Sequence, residues 1–227
     1  MKFRATATLL AALFVASALA ASAGAAKIGV YRNAMQSTAQ RSELVKLTGR
    51  SCSRGGRGDA LRIAIGRRTQ ECSYRTPVLG RDLEIATTQR LLSDTPRSLR
   101  RKAYLGVQLR AGGGSRYQLA VFPLQRKVQL RKVLGDGTIR YLAIVKNEKA
   151  VRGIDRANKL RLSAINERRG EARLIASLGR KRVANVLDAT AGEVGGRASG
   201  FSVGSVRGGN GIVAAVDDVV IRVPSPF

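Results

Sequence analysis

Residues 200–204, Gly-Phe-Ser-Val-Gly, have the Gly-x-Ser-x-Gly spacing that raises a serine nucleophile on a sharp strand-to-helix turn beside a histidine base. The chain contains no histidine, and the glycine-rich run after Gly204 does not support the helix such a turn requires. Ser202 therefore reads as a strand residue between two glycines. The missing histidine also removes Ser-His-Asp and Cys-His nucleophile pairs and histidine-based zinc sites. Residues 204–211 lack the Gly-Lys-Ser/Thr ending of a phosphate loop. Paired carboxylates are the remaining route to acid–base catalysis. Asp82 and Glu84 stand two apart on a predicted strand and so share a face, at a separation between the ~5–5.5 Å of retaining and the ~6.5–9.5 Å of inverting glycosidases. Arg81 and Arg90 lie close in sequence, which favours a surface ion-pair role for both acids. By strand alternation Asp217 faces the apolar side and is expected to be a buried, hydrogen-bonded carboxylate. No set of oxygen ligands spaced for calcium accompanies it, and the sequence asks for neither metal nor cofactor.

What the chain has in excess is positive charge, with 41 Lys and Arg against 15 Asp and Glu and a formal net charge of +26. Such a charge draws polyanions over a screening length of about 8–10 Å and is silent about shape. The candidate polyanion site comprises Lys127, Arg131, Lys132, Arg180, Lys181 and Arg182, with Lys127, Gln129 and Arg131 on one side of a strand. Their guanidinium and ammonium groups can hold carboxylate, sulfate or phosphate by charge-assisted hydrogen bonds. Specific nucleic-acid binding is not expected, because 5 Tyr, 5 Phe and no Trp give few rings to stack on bases and no nucleic-acid-binding motif is present.

Positioning these groups is the task of short strands. Residues 1–25 carry Lys2 and Arg4, an apolar run and cleavable Ala-x-Ala patterns, which read as a secretory signal peptide cut between Ala21 and Ala26. Residues 26–227 are then expected to form one domain, exported to the extracellular space or the cell envelope, with no later transmembrane segment. Cys52 and Cys72, the only cysteines, should form one disulfide around the strand Leu61, Ile63, Ile65, stabilising by about 3 kcal/mol in chain-entropy terms. Period-two alternation recurs along the chain: Leu105, Val107 and Leu109 share a face, as do Tyr117, Leu119 and Val121, and Leu160, Leu162 and Ala164. Val213, Ala215, Val219, Ile221 and Val223 are expected on one face of the closing strand. Gly135-Asp136-Gly137 reads as a hairpin turn. Residues 94–99 and 147–158 carry capping residues and are each expected to hold a short helix or helical turn. About a dozen strands with little helix require two stacked antiparallel sheets.

The order of elements in "NKLRLSAINERRGEARLIASLGRKRVANVLD" and "ASGFSVGSVRGGNGIVAAVDDVVIRVP" resembles the C-terminal half of concanavalin A-like lectin/glucanase sandwiches, in particular their laminin-G-like and 3-keto-disaccharide-hydrolase-like branches. The resemblance implies an all-β, two-sheet jelly-roll sandwich. Residues 82–87 lack the first and last members of the Glu-x-Asp-x-x-Glu strand that lectin-fold glucanases use, and Leu178-Gly179 stands where the resembling hairpin usually has Asn-Gly. Arg41-Ser42-Glu43-Leu44 is similar to the Arg-Ser-Glu-Leu signature of alginate-lyase-like enzymes, whose Gln-x-His and C-terminal tyrosine motifs are missing here. The expected function is a secreted, non-catalytic, lectin-like module that binds an anionic glycan or cell-envelope polymer. The alternative is a lyase or glycoside hydrolase acting on an acidic polysaccharide through Arg41, Glu43, Asp82 and Glu84.

Overall fold

A computed structural model describes residues 29–224 apart from 50, 169, 207 and 209. The expected signal peptide and its cleavage site lie outside the described residues. The elements in chain order are β1 (Gly29–Asn33), α1 (Thr38–Ser42), β2 (Val45–Thr48), β3 (Cys52–Arg57), β4 (Ala60–Ile65), β5 (Glu71–Leu79), β6 (Leu83–Leu91), α2 (Arg97–Arg100), β7 (Ala103–Gly112), β8 (Ser115–Phe122), β9 (Lys127–Val133), β10 (Ile139–Val145), β11 (Asn158–Asn166), β12 (Ala172–Leu178), β13 (Lys181–Asp188), β14 (Ala198–Ser205) and β15 (Val213–Arg222). Among the described residues they form an eight-stranded sheet, ordered β13-β12-β11-β6-β15-β4-β3 with β1 also on β15, and a seven-stranded sheet, ordered β10-β9-β8-β7-β14-β5-β2. Every pairing is antiparallel. This is the jelly-roll sandwich of the concanavalin A-like class.

Alternation decides what lies between the sheets. Leu160, Leu162 and Ala164 of β11, Leu61, Ile63 and Ile65 of β4, Leu105, Val107 and Leu109 of β7, and Tyr117, Leu119 and Val121 of β8 all enter one buried cluster. Truncating one of them, such as Leu162, costs about 2–5 kcal/mol through lost burial and the cavity left behind. Polar atoms in this layer are only partly satisfied: Gln89 Nε2 donates to Gly106 O and to Thr87 Oγ1, both at 2.8 Å, while Gln89 Oε1 and the Tyr74 hydroxyl have no hydrogen-bond partner. Cys52 of β3 and Cys72 of β5 are bonded with their Cα atoms 5.9 Å apart, so the disulfide staples one sheet to the other. The turn at 135–137 forms as expected, with Gly137 at φ +87° and Thr138 N donating to Asp136 Oδ1 at 2.8 Å.

Three local expectations change. The closing strand does not keep one phase: Ala214, Val216, Val219 and Ile221 face the main core, while Val213 and Ala215 face a satellite cluster with Leu92. A register shift between Asp217 and Val220, with Asp218 at φ +50°, inserts an extra residue and brings Val219 and Ile221 back to the core, while Asp217 keeps the outward phase of Ala215 and is half-buried. Residues 97–100 are helical as expected, but 147–157 form turns. There the capping residue Asn158 opens β11 instead, its side chain clamping Arg152 N and O at 2.8 and 3.0 Å. The short helix α1 lies where none was expected, over Arg41 and Ser42, started by a capping box between Ser37 and Gln40.

Candidate functional site

The alternation that sends Leu105, Val107 and Leu109 inward sends Tyr104, Gly106 and Gln108 to the opposite face of the seven-stranded sheet. Cross-strand register lines up Ser202 with Gly106, Gln118 with both Gln108 and Arg131, and Gly204 with both Glu71 and Tyr104. These side chains interlock. Tyr104 donates to Glu71 Oε2 at 2.5 Å, Arg116 Nη2 donates to the two Glu71 oxygens at 3.1 and 3.0 Å, Gln118 Nε2 donates to Ser202 Oγ at 2.7 Å, and Arg131 Nε donates to Gln118 Oε1 at 2.8 Å. The Arg131 guanidinium lies 4.6 Å from the Tyr104 ring centre, and Tyr104 abuts Phe122 at 5.6 Å. Two strands, β14 and β7, separate β5 from β8, a span of roughly 14 Å at ~4.8 Å per step, yet Arg116 and Glu71 are bonded across it. The face is therefore hollowed, and its long side chains lean over the middle.

The hollow has a floor of small residues and amides. A Cβ on Gly106 would stand 2.7 Å from Ser202 Oγ, and one on Gly204 would run into the Tyr104 ring, so both positions demand glycine. Gln108, Gln118 and Ser202 are each 0% exposed. Both amide atoms of Gln108 and the Oε1 of Gln129 have no hydrogen-bond partner, a rare and costly condition for buried groups. Burial, reinforced by the neighbouring Glu71 carboxylate, pushes the Tyr104 phenol far above its ordinary range, so Tyr104 is a hydrogen-bond donor rather than a proton acceptor. Glu71 is the one carboxylate on the strands of this sheet among the described residues.

The outward face of the eight-stranded sheet has a different character. Glu84 lies beneath it, 2% exposed, accepting from Ser163 Oγ at 2.9 Å with Arg161 Nε 3.7 Å away. Above it lie hollows of about 410 and 480 Å³ that share Arg161 and Arg180 in their walls. A third, of about 380 Å³, shares Ile175 and Arg182 with the second.

The structure does not bring the six expected cations together. Lys127 and Arg131 do share the hollowed face, where Lys127 Nζ sits 4.2 Å from the Phe122 ring centre and burial, with Lys146 and Arg131 nearby, lowers its pKa. Lys132, one position on, points the other way. It is 1% exposed and engages Asp188 Oδ2 at 2.9 Å and Glu193 Oε2 at 2.6 Å, so its charge is spent internally. Burial opposes ionisation of that Asp188, but hydrogen bonds from Tyr117, Lys132 and Thr190 outweigh it and hold the carboxyl below its usual range. Arg180 and Arg182 belong to the other sheet, and Lys181 bonds Glu148 Oε1 at 2.8 Å.

Nor do the alternative enzyme residues converge. Arg41 donates from Nε to Met35 O at 2.8 Å and from Nη2 to Gly58 O at 2.9 Å, while Glu43 accepts from Tyr31 OH at 2.8 Å. Asp82 precedes β6, accepting from Asn166 N at 2.9 Å and pairing with Arg110 at 3.4 Å, whereas Glu84 lies under the eight-stranded face. Among the described residues no three Cys, Asp or Glu side chains gather as a metal site, and no helix is long and apolar enough to cross a membrane. Sequence reasoning missed Glu71, Tyr104, Gln108, Arg116 and Gln118. The signal available was polar residues alternating with an apolar face inside central strands, opposite glycines.

No family model matches the sequence, and no curated protein matches it. Solved structures do match in fold. The carbohydrate-binding module CBM66 from Bacillus subtilis aligns with a TM-score of 0.58 at 12% identity, over 79% of this chain and 95% of that one. A protein of unknown function with a galectin-like fold from Bacillus subtilis gives 0.60 at 12% identity, over 86% and 96%. A glycosidic hydrolase gives 0.60 at 9% identity, over 87% and 96%. Likeness at these identities speaks to fold alone.

Proposed function

We propose that the protein is a secreted, non-catalytic, lectin-like module that binds an anionic glycan or cell-envelope polymer in the hollow of the seven-stranded sheet. The observation that carries this reading is Gln108, wholly buried on the face away from the core with both amide atoms unpartnered. An amide offers a donor and an acceptor at once, which is what a sugar hydroxyl pair complements. Arg116, Arg131 and Lys127 outnumber Glu71 on this face, so an acidic group on the ligand is favoured. Its entry route is exchange: a ligand carboxylate takes the place of Glu71 on Arg116, whose side chain is 18% exposed, and opens the floor beneath. The carbohydrate-binding module among the fold neighbours supports the reading by analogy. Tyr104, held protonated beside a lone carboxylate, supports binding over proton abstraction or paired-carboxylate chemistry.

A glycan array spanning neutral and acidic saccharides, followed by calorimetry on the best binder, tests it. Gln108→Ala should weaken that binder by about tenfold, in line with one lost buried hydrogen-bonding pair. Glu71→Gln should strengthen binding of acidic glycans and leave neutral ones unchanged, because it removes the internal competitor for Arg116. Array binding that neither substitution alters would sink the assignment.

A further inference from the structure

The outward face of the eight-stranded sheet carries its own construction. At its outward positions β15, β6, β11 and β12 present Val220, Ala86, Thr88, Ser163 and Ser177, so small side chains form a floor and long cations stand around it. The three hollows run into one another through the shared Arg161, Arg180, Ile175 and Arg182 and cross from β15 to β13, four inter-strand steps or roughly 19 Å. Acids cancel only some of the cations. Asp218 is taken by Arg32 at 3.3 Å, Glu167 by Arg173, and Glu84 lies 3.7 Å from Arg161, while among the described residues no ion pair occupies Lys159, Arg180, Arg182 or Arg222. None of the lining side chains is aromatic, so the track has no platform for stacking bases. The hydroxyls of Thr88 and Ser177 on the floor match a ligand that carries hydroxyls between its charges.

We propose that this track is a second binding surface, for a linear polysaccharide bearing carboxylates along its length, laid across the strands with its anionic groups against Arg222, Lys159, Arg161, Arg180 and Arg182. Guanidinium forks suit the carboxylate bidentately, and several weak contacts along one chain add without any deep pocket. The surface is independent of the seven-stranded hollow and stands whether or not that hollow binds a glycan. With both in use, one molecule holds two polymer chains on opposite sides.

The test uses galacturonate oligomers of graded length, with polyphosphate as a charge-dense control that lacks hydroxyls. Affinity should rise with oligomer length until the oligomer spans the track. The double variant Arg180→Ala with Arg222→Ala should lose about tenfold or more in affinity for the long oligomer. The matching Arg→Lys pair should lose most of that affinity as well, while keeping the charge. Both residues are free of ion pairs, so a thermal melt like the parent's is expected and confirms the fold of each variant. Unaltered binding in the Ala pair overturns the inference, as does polyphosphate binding as tight as galacturonate. If Gln108→Ala abolishes the binding and the Ala pair does not, the polymer sits in the other hollow, which defeats this inference and leaves the proposed function standing.

Discussion

The two outward faces are made by the same device and end as opposites. In each, every second residue of a central strand is turned away from the core. On the seven-stranded sheet those residues are amides, hydroxyls and a tyrosine set over glycines, and long side chains close over them until Gln108 and Gln118 are 0% exposed. On the eight-stranded sheet they are small residues ringed by cations that stay in water, with Arg180 and Arg182 exposed. A hydrogen bond or charge held dry is worth several times one held wet, and it is correspondingly costly to leave half-made. One face is thus dry and rigid. The other leaves its cations solvated and screened by salt.

That contrast breaks or holds on graded substitutions. The largest effect belongs to the driest charge: Asp188→Ala strands the buried Lys132 and should destabilise by about 3 kcal/mol or more in chemical denaturation, the cost of an uncompensated interior ion. A change below about 1 kcal/mol would mean that Glu193 alone neutralises Lys132. Next, Gln118→Ala removes the partners of Arg131 Nε and Ser202 Oγ and should cost about 1–3 kcal/mol. The smallest stability effect falls on the wet side: Arg32→Ala breaks an ion pair whose members are 72% and 46% exposed, and the melting curve should move by no more than about 0.5 kcal/mol in stability.

Acid titration sharpens the same contrast by sign. The Asp188 carboxyl is held below its unfolded value near 4, so the stability it lends is complete above that value and is lost as pH falls through the lower folded one. Asp217 is shifted upward, by burial first and by Asp218 second, so its ionised form is a liability that protonation relieves as pH drops. Asp217→Asn should therefore stabilise at neutral pH, and Asp188→Asn should destabilise there and flatten the acid limb of the stability profile. Identical acid limbs for the parent and Asp188→Asn would remove the contrast.

Much of the scaffold is legible in the sequence because period two is a strong signal wherever one face is buried, as in Leu160, Leu162 and Ala164. It fails where the backbone departs from period two. The bulge at Asp217–Asp218 shifts the phase of β15, and nothing in the string Val-Asp-Asp-Val-Val announces it. Charge alone groups Arg131 with Lys132, yet neighbours on a strand are divided between faces by the same alternation. Lys132 therefore goes inward while Arg131 stays out. Arg180 and Arg182 joined Lys127 only by charge, since which sheet holds β13 depends on topology. Arg116 and Glu71 were invisible for a related reason: their meeting requires knowing that only β14 and β7 lie between β5 and β8.

The bond between Cys52 and Cys72 also fixes how the molecule would take a pull. It closes off residues 53–71, including β4, from any tension applied at the two ends of the chain, because force entering at β3 passes through sulfur straight to β5. The β4 strand, which hydrogen-bonds the closing strand β15, is then left unstretched inside the closed loop even after β15 is drawn away. In single-molecule stretching the oxidised chain should come out shorter than the reduced one by roughly 65 Å, the contour of the segment that the bond hides.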